Sequence, residues 1–368
     1  MRTYPIMIMD LEKAKEMQFK LVDTIHQHFD GYEFFNGGDY GVVPGIGQPR
    51  YTQKVEKVLA QFFDAEDAVL VRGAGTGAIR NVMNSVVKPN QKILLHEAPI
   101  YPTTKVIVES MGLEPVFIDF NEISYENDQI IASVSFALIQ HSRQKPDDRY
   151  DLGEVIMKMK EINRNITILI DDNYVVMKAE KIGVQLGADA SAFSLFKLLG
   201  PEGVGCVVGS KRMIDEIRKL NYSGGSQVQG HEAMDTLRSL VYTPVSFAVQ
   251  AEETNKIVNR LNSGEIKGIK SSFIANAQSR VVLVEFEEPL AKKVLENSTK
   301  LGAAPYPIGA ESRYEVTAMF YRVSETFLRS DPGLADYIVR INPMRAGADT
   351  VLRILKASVH KALEEGEK

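Results

Sequence analysis

The sequence predicts an α/β protein: a mostly parallel sheet covered by helices on both faces, three layers in all, followed by a smaller α+β domain. Three observations carry that prediction. From about residue 66, short runs rich in Val, Ile and Leu alternate with amphipathic stretches, the rhythm of parallel strands joined by helices. The length, 368 residues, suits one large or two interlocked domains. After Gly230 the alternation gives way to a long helical stretch and a few separated strands.

Residues 10–29 read as a helix, with Leu11, Met17, Leu21 and Ile25 near turn spacing. Next comes a passage with six glycines, at 31, 37, 38, 41, 45 and 47, too irregular for helix or strand. Such backbone either connects flexibly or approaches something closely. A second helix places Val55, Val58, Leu59 and Phe62 along one face. Strands are expected at 68–72, 92–96, 115–120, 132–140, 166–171 and 205–209, with helices such as 78–87 and 152–162 between them. Further on, a helical region over 232–261 leads to strands near 281–286, 315–321 and 337–341 and a closing helix. The large domain is therefore drawn over residues 51–230 and the small one over 231–368.

Hydrophobic residues make up 44% and charged residues 25%, the composition of an ordinary globular protein. A formal net charge of −5 argues against a nucleic-acid or membrane-surface binder, which usually shows a basic field. The single cysteine, Cys206, forms no intrachain disulfide, and its apolar run reads as a small buried hydrophobe rather than a reactive thiol. The apolar stretch from Tyr4 to Met9 is shorter than a signal-peptide core and runs straight into Asp10, Glu12 and Lys13. Charges interrupt every apolar run before it reaches the length of a membrane span, so a cytoplasmic protein is expected.

In open α/β sheets ligands bind beyond the carboxyl ends of the strands. Four features fall there or on a comparable strand. Gly73-Ala74-Gly75-Thr76-Gly77-Ala78 follows a strand and opens a helix, where small residues and free amide groups suit a phosphate. The same segment fits the dinucleotide pattern G-x-G-x-x-A, with Glu97 at a suitable distance, and a tight structural turn is the plain alternative. Asp171-Asp172-Asn173-Tyr174 ends an apolar strand, where a carboxylate either pairs with a cofactor cation or caps a helix. Lys197 stands among Leu195, Phe196, Leu198 and Leu199. Burial lowers a lysine pKa and makes its amine a usable nucleophile toward an aldehyde, although surface lysines commonly snorkel from such segments. Arg340 sits on an otherwise apolar strand and needs an anion: a substrate carboxylate or a structural partner. No metal site is expected, because His26 and His28 point to different sides of a helix and no H-E-x-x-H occurs. Nor is there a G-x-S-x-G elbow or a cysteine cluster.

Taken together and in order, these residues resemble the fold-type I pyridoxal-phosphate (PLP) enzymes, the superfamily of aminotransferases and of cystathionine and methionine lyases. The echo lies with methionine γ-lyase-related (aluminium-resistance-type) proteins and PLP-dependent aminotransferase-like proteins. It covers residues 35–230 and Arg340. The resemblance implies that Gly75, Thr76, Gly77 and Ser194 bind the cofactor phosphate and that Tyr101 stacks on its ring. It also implies that Asp171 pairs with the pyridine nitrogen, with Asp172 as the fallback one residue on. Lys197 holds the cofactor as a Schiff base, and Arg340 receives the substrate α-carboxylate. It further implies that residues 1–50 join the small domain, and that the chain forms a homodimer or a dimer of dimers with Arg50 and Tyr51 contacting a neighbour's phosphate. Two places depart from the family pattern. Phe196 precedes the lysine where transsulfuration lyases often carry threonine, and His141, Ser142 and Arg143 stand where many aminotransferases carry an asparagine-proline motif.

The expected activity is that of an aminotransferase or of a lyase eliminating at Cβ or Cγ. A nicotinamide-dependent dehydrogenase built on the 73–78 loop leaves Lys197, Ser194 and Arg340 unexplained. A PLP-binding protein without turnover leaves Arg340 unexplained.

Overall fold

The computed structural model describes residues 2–277, 279–309, 311–323, 327–328 and 331–365. The chain opens with α1 (Leu11–His28) and α2 (Arg50–Phe62). Seven strands then build one sheet: β1 (Asp67–Arg72), β2 (Lys92–His96), β3 (Glu114–Ile118), β4 (Phe136–Gln140), β5 (Thr167–Asp171), β6 (Ala190–Ser194) and β7 (Val204–Gly209). Among and after them come α3 (Ala74–Val86), α4 (Pro102–Ser110), α5 (Asp128–Ser133), α6 (Leu152–Ile162) and α7 (Lys211–Leu220). The strand order is β1-β7-β6-β5-β4-β2-β3, and β7 runs antiparallel to both of its neighbours. Together with the smaller antiparallel sheet described below, this is the mostly parallel α/β sheet with a smaller α+β part that the sequence predicts.

Because successive strand residues face opposite sides, each central strand feeds two cores. Ile93, Leu95, Leu138, Leu169, Ala190 and Ala192 pack on the side of α3 and α7, with Ile79, Val82, Met83 and Ile214. Leu94, Ala137, Ile139, Ile168 and Ile170 pack on the side of α6, with Val155, Ile156 and Met159. At about 25 cal/mol per Å² of apolar surface, burial on both faces stabilises this sheet. Cys206, on β7, is fully buried, and burial pushes its thiol well up.

Three local differences from the sequence reading have physical causes. The strand expected over 132–140 begins only at Phe136, because residues up to Ser133 complete the short α5, which buries Ile131. The strand β6, Ala-Ser-Ala-Phe-Ser, lacks the branched residues that mark strands; it is made of small side chains where α3 lies against it. The helix α3 starts at Ala74, four residues before the expected start, despite two glycines in its first turn. Those glycines are required by space: a Cβ on Gly77 would lie 2.0 Å from the Arg72 carbonyl oxygen, and one on Gly75 2.5 Å from the Asn173 side chain.

The second sheet has the order β10-β11-β9-β8, all antiparallel, formed by β8 (Ile269–Ala277), β9 (Ser279–Phe286), β10 (Met319–Arg322) and β11 (Ile338–Asn342). The long α8 (Gly230–Asn262) leads to it, and α9 (Ala291–Lys300), α10 (Leu334–Tyr337) and α11 (Ala348–Glu364) accompany it. Its core joins Val282, Val284, Phe286, Val339 and Ile341 to Val294, Val351 and Leu355.

By their contacts, residues 13–142 and 149–244 form one compact unit; the residues up to Glu12, 143–148 and 245–368 form the other. The division differs from one drawn at residues 50 and 230. Most of α1 belongs to the larger unit, where Lys20 Nζ donates to the Phe62 carbonyl oxygen (3.1 Å) and His28 Nε2 pairs with Gln61 (2.7 Å). The passage between units falls within α8, after Pro244, so no break in secondary structure marks it. Among the described residues no helix is long and apolar enough to cross a membrane, and no group of three His, Cys, Asp or Glu is arranged to hold a metal ion.

Candidate active site

Strand parity sends the two aspartates at the end of β5 to opposite sides of the sheet. Leu169 packs on the α3 side, so Asp171, two residues on, faces that side and Asp172 the other. Asp171 is buried and accepts from Asn173 twice, from the backbone N–H (3.0 Å) and from Nδ2 (2.6 Å). The Asn173 Oδ1 in turn accepts from the N–H of Ser194 at the end of β6 (3.1 Å). A Cβ on Gly75 would stand 2.5 Å from that same Oδ1. One asparagine thus ties the first turn of α3, the carboxylate of Asp171 and the backbone of Ser194 into a packed corner.

The glycine loop is anchored from beneath by the N–H groups of Gly73 and Ala74, which donate to the Gly203 carbonyl oxygen (2.8 and 3.1 Å). The next amides, of Gly75 and Thr76, belong to the first turn, where a helix supplies no internal acceptor and its dipole favours an anion. We predict that Gly75→Ala, by pushing Asn173 off Asp171, lowers the unfolding free energy by about 1–3 kcal/mol. Urea denaturation reads that loss, and a PLP titration reads the weaker cofactor binding expected with it.

Lys197 lies in a single turn after β6, between the buried Leu195 and Leu198. Thr243 Oγ1 holds that turn by donating to the Leu198 carbonyl oxygen (2.9 Å). The lysine Nζ stands 3.9 Å from the ring centroid of Tyr174. Asp171 feels the lysine too: burial raises its pKa most, while Lys197 and Asn173 pull it down. Tyr101, at the start of α4, is raised first by burial and then by Tyr174, with Lys197 acting the other way. Asp171, Tyr101, Tyr174 and Lys197 therefore act on one another across a single site.

Tyr174 was not among the residues singled out from the sequence. Its signal was its place, three residues beyond a strand-end aspartate. Its φ of +70° is a left-handed conformation that costs a bulky residue about 1–2 kcal/mol and marks a position held by its surroundings. His141 also gains a definite partner. Its Nδ1 lies 2.6 Å from Oδ1 of Asp172, a fully buried carboxylate that accepts from the Gly183 N–H (3.1 Å), and its own N–H donates to the Asp171 carbonyl oxygen (3.0 Å). Asp172 is thus occupied with His141 on the α6 side. Arg143 instead donates Nη1 to the Tyr4 carbonyl oxygen (2.8 Å), within the smaller unit.

Arg50 is exposed at the start of α2, where its N–H and that of Tyr51 donate to Asp39 (2.7 and 3.0 Å), and the Tyr51 ring stacks on Phe29. Arg340 belongs to the smaller unit. It is buried in β11 opposite Tyr321, with its guanidinium carbon 4.1 Å from that ring's centroid and Nε donating to the Arg322 carbonyl oxygen (2.7 Å).

The residues in the larger unit fit pyridoxal phosphate: first-turn amides for an anion, a buried carboxylate for a ring nitrogen, and an amine in an apolar turn for an aldehyde. A family model described as aminotransferase class-V matches residues 49–266, and one described as YhfS-like, C-terminal domain, matches residues 255–355. The chain belongs to the aminotransferase class-V family. The 73–78 loop falls inside that match, which leaves no support for the dinucleotide reading.

The uncharacterized protein YhfS of Escherichia coli K12 is 49% identical over 361 residues, 98% of this chain and 99% of that one. The crystal structure of E. coli YhfS, described as a pyridoxal-5'-phosphate-dependent protein, has a TM-score of 0.96 over 98% of this chain and 100% of its own. At 16% identity, a candidate cystathionine beta-lyase involved in aluminum resistance from Listeria monocytogenes shares the fold, with a TM-score of 0.71 and 95% of each chain covered. So does cystathionine gamma synthase from Xanthomonas oryzae pv. oryzae, at 15% identity and a TM-score of 0.73, over 95% of this chain and 98% of that one.

Proposed function

We propose that this chain is a pyridoxal-phosphate-dependent enzyme acting on an amino acid, as an aminotransferase or as a lyase eliminating at Cβ or Cγ. The carrying observation is the convergence of Asp171, Lys197 and Tyr101 beside the glycine-opened end of α3, joined by the bonds of Asn173. Gly75, Thr76 and Ser194 would hold the phosphate, with Gly77, whose N–H is given to the Gly73 carbonyl oxygen (2.8 Å), keeping the turn open; Tyr101 would cover the ring, Asp171 would face its nitrogen and Lys197 would attach its aldehyde carbon. Bound there, the cofactor supplies a carbon that amines exchange on and a ring that takes up electrons released at the substrate Cα.

The chain's own groups do the rest. Asp171 keeps a proton on the ring nitrogen. The Lys197 amine would move a proton at the substrate Cα. Arg340 orients the α-carboxylate through its planar fork. A homodimer is part of this reading, with Arg50 reaching a phosphate across the interface. The exposed Tyr32, Phe35 and Tyr40 on the glycine-rich N-terminal passage are an apolar surface that suits such an interface.

The Arg340→Leu variant is expected to raise KM for the amino acid roughly ten- to hundredfold, the weight of a charge-assisted pair, with PLP binding unchanged. Steady-state kinetics beside a PLP titration read both quantities. The whole reading is tested by the visible absorbance of protein loaded with PLP, its fixation by borohydride, and titration with an amino-acid panel. A product retaining the amino group on the cofactor marks transamination, whereas ammonia released with a 2-oxo acid marks elimination. Absence of a borohydride-fixable band would refute the assignment.

A further inference from the structure

Tyr174 closes the turn that carries Asp171 and does so in a left-handed conformation, φ +70°. What its ring meets is the Lys197 Nζ, 3.9 Å from the centroid and well inside the ~6 Å over which an aromatic face attracts a cation. The titratable groups acting on this corner include Asp171, at the end of β5, Asp172 beside it, which raises the Asp171 pKa, and Tyr101, at the start of α4. We propose that the face of the Tyr174 ring, rather than its hydroxyl, seats the Lys197 amine in its charged form whenever another amine occupies the cofactor, which makes Lys197 a stronger proton acceptor. This rests on Lys197 being the residue that attaches the cofactor. The ring's quadrupole attracts an ammonium far more than a neutral amine. The seat therefore favours the lysine that has taken a proton over the neutral amine. Asp171 attracts the same charge, so the ring also keeps the ammonium from settling on the carboxylate needed at the cofactor nitrogen.

The test is the pH profile of Lys197 acylation by acetic anhydride in the full-length chain freed of cofactor, read by peptide mass spectrometry in the parent, Tyr174→Phe and Tyr174→Leu. Phenylalanine keeps the face and loses the hydroxyl, and its midpoint is expected to match the parent within about twofold in proton affinity. Leucine removes the face, and its midpoint is expected about one pH unit lower, a tenfold loss. A Phe variant that falls as far as Leu assigns the effect to the hydroxyl and overturns the proposal, as does a Leu variant that matches the parent. Should Tyr174→Leu fail to fold by circular dichroism, Tyr174→Asn, at ease in the left-handed conformation, is held to the same tenfold loss. Borohydride fixation of PLP on the parent is read separately. If Lys197 is not labelled there, the site assignment falls, and the seat with it; if it is labelled and the three profiles coincide, only the seat falls.

Discussion

Lys197→Ala is expected to abolish the visible band of the PLP-loaded protein and to lower turnover by about a thousandfold or more. Proton transfer by a positioned side chain supplies roughly 10²–10⁴-fold on its own, and this lysine is also the attachment point in the proposed mechanism. The fold is expected to survive. The lysine occupies a single turn held by Thr243 and by the packing of Leu195 and Leu198, none of which uses its amine. A normal circular dichroism spectrum with no absorbance near the visible band is the result that fits. Lys197→Arg serves as the control, since it restores positive charge without a nucleophilic amine. Recovery of activity in the arginine variant would mean that charge alone is needed and that the attachment reading is wrong.

Asp171→Asn is expected to keep PLP attached and yet lose about 10²–10³-fold in turnover, the scale seen when one preorganised electrostatic group is removed. The neutral amide still offers Oδ1 to the two donors of Asn173, so the corner keeps its shape. What disappears is the charge. Burial lifts the Asp171 pKa above 3.8 more than Lys197 and Asn173 lower it. A carboxyl whose pKa is higher in the folded state stabilises the fold when protonated and loses that contribution as pH rises through the raised value. Above that window the ionised Asp171 costs stability, so at neutral pH the Asn variant is expected to melt at or above the parent. Melting curves from the acid side of 3.8 to neutrality check this. The parent should lose stability across the window where the variant does not. Asp172→Asn should behave differently: that carboxylate holds His141 and the Gly183 N–H in a fully buried place, and the variant is expected to melt lower.

Much of this was legible in the sequence, for reasons that differ from residue to residue. Strands with branched apolar residues and helices with clear periodicity announce themselves, which is why β2 and α6 fall on their expected residues. The choice between Asp171 and Asp172 was not legible, because β5 is buried on both faces and its sequence carries no polar alternation to reveal parity. Only the opposite cores reached by Leu169 and Ile170 show which side each aspartate takes. The conformation of Tyr174 was not legible, because left-handed turns are usually flagged by glycine or asparagine; only its place after a strand-end aspartate pointed to it. Arg340 was read as an arginine in an apolar strand, and it is one. The ring of Tyr321 that receives it comes from a strand nineteen residues earlier by register, a pairing no local pattern encodes.

The burial of Cys206 makes the chain convenient for spectroscopy. Its only thiol is sealed inside β7 and held in the protonated form, so maleimides and spin labels should leave the native protein unmodified. A cysteine introduced on an exposed position, Arg50 for example, would then be the sole point of attachment, and a probe there would report on its surroundings at the start of α2 without any background to subtract.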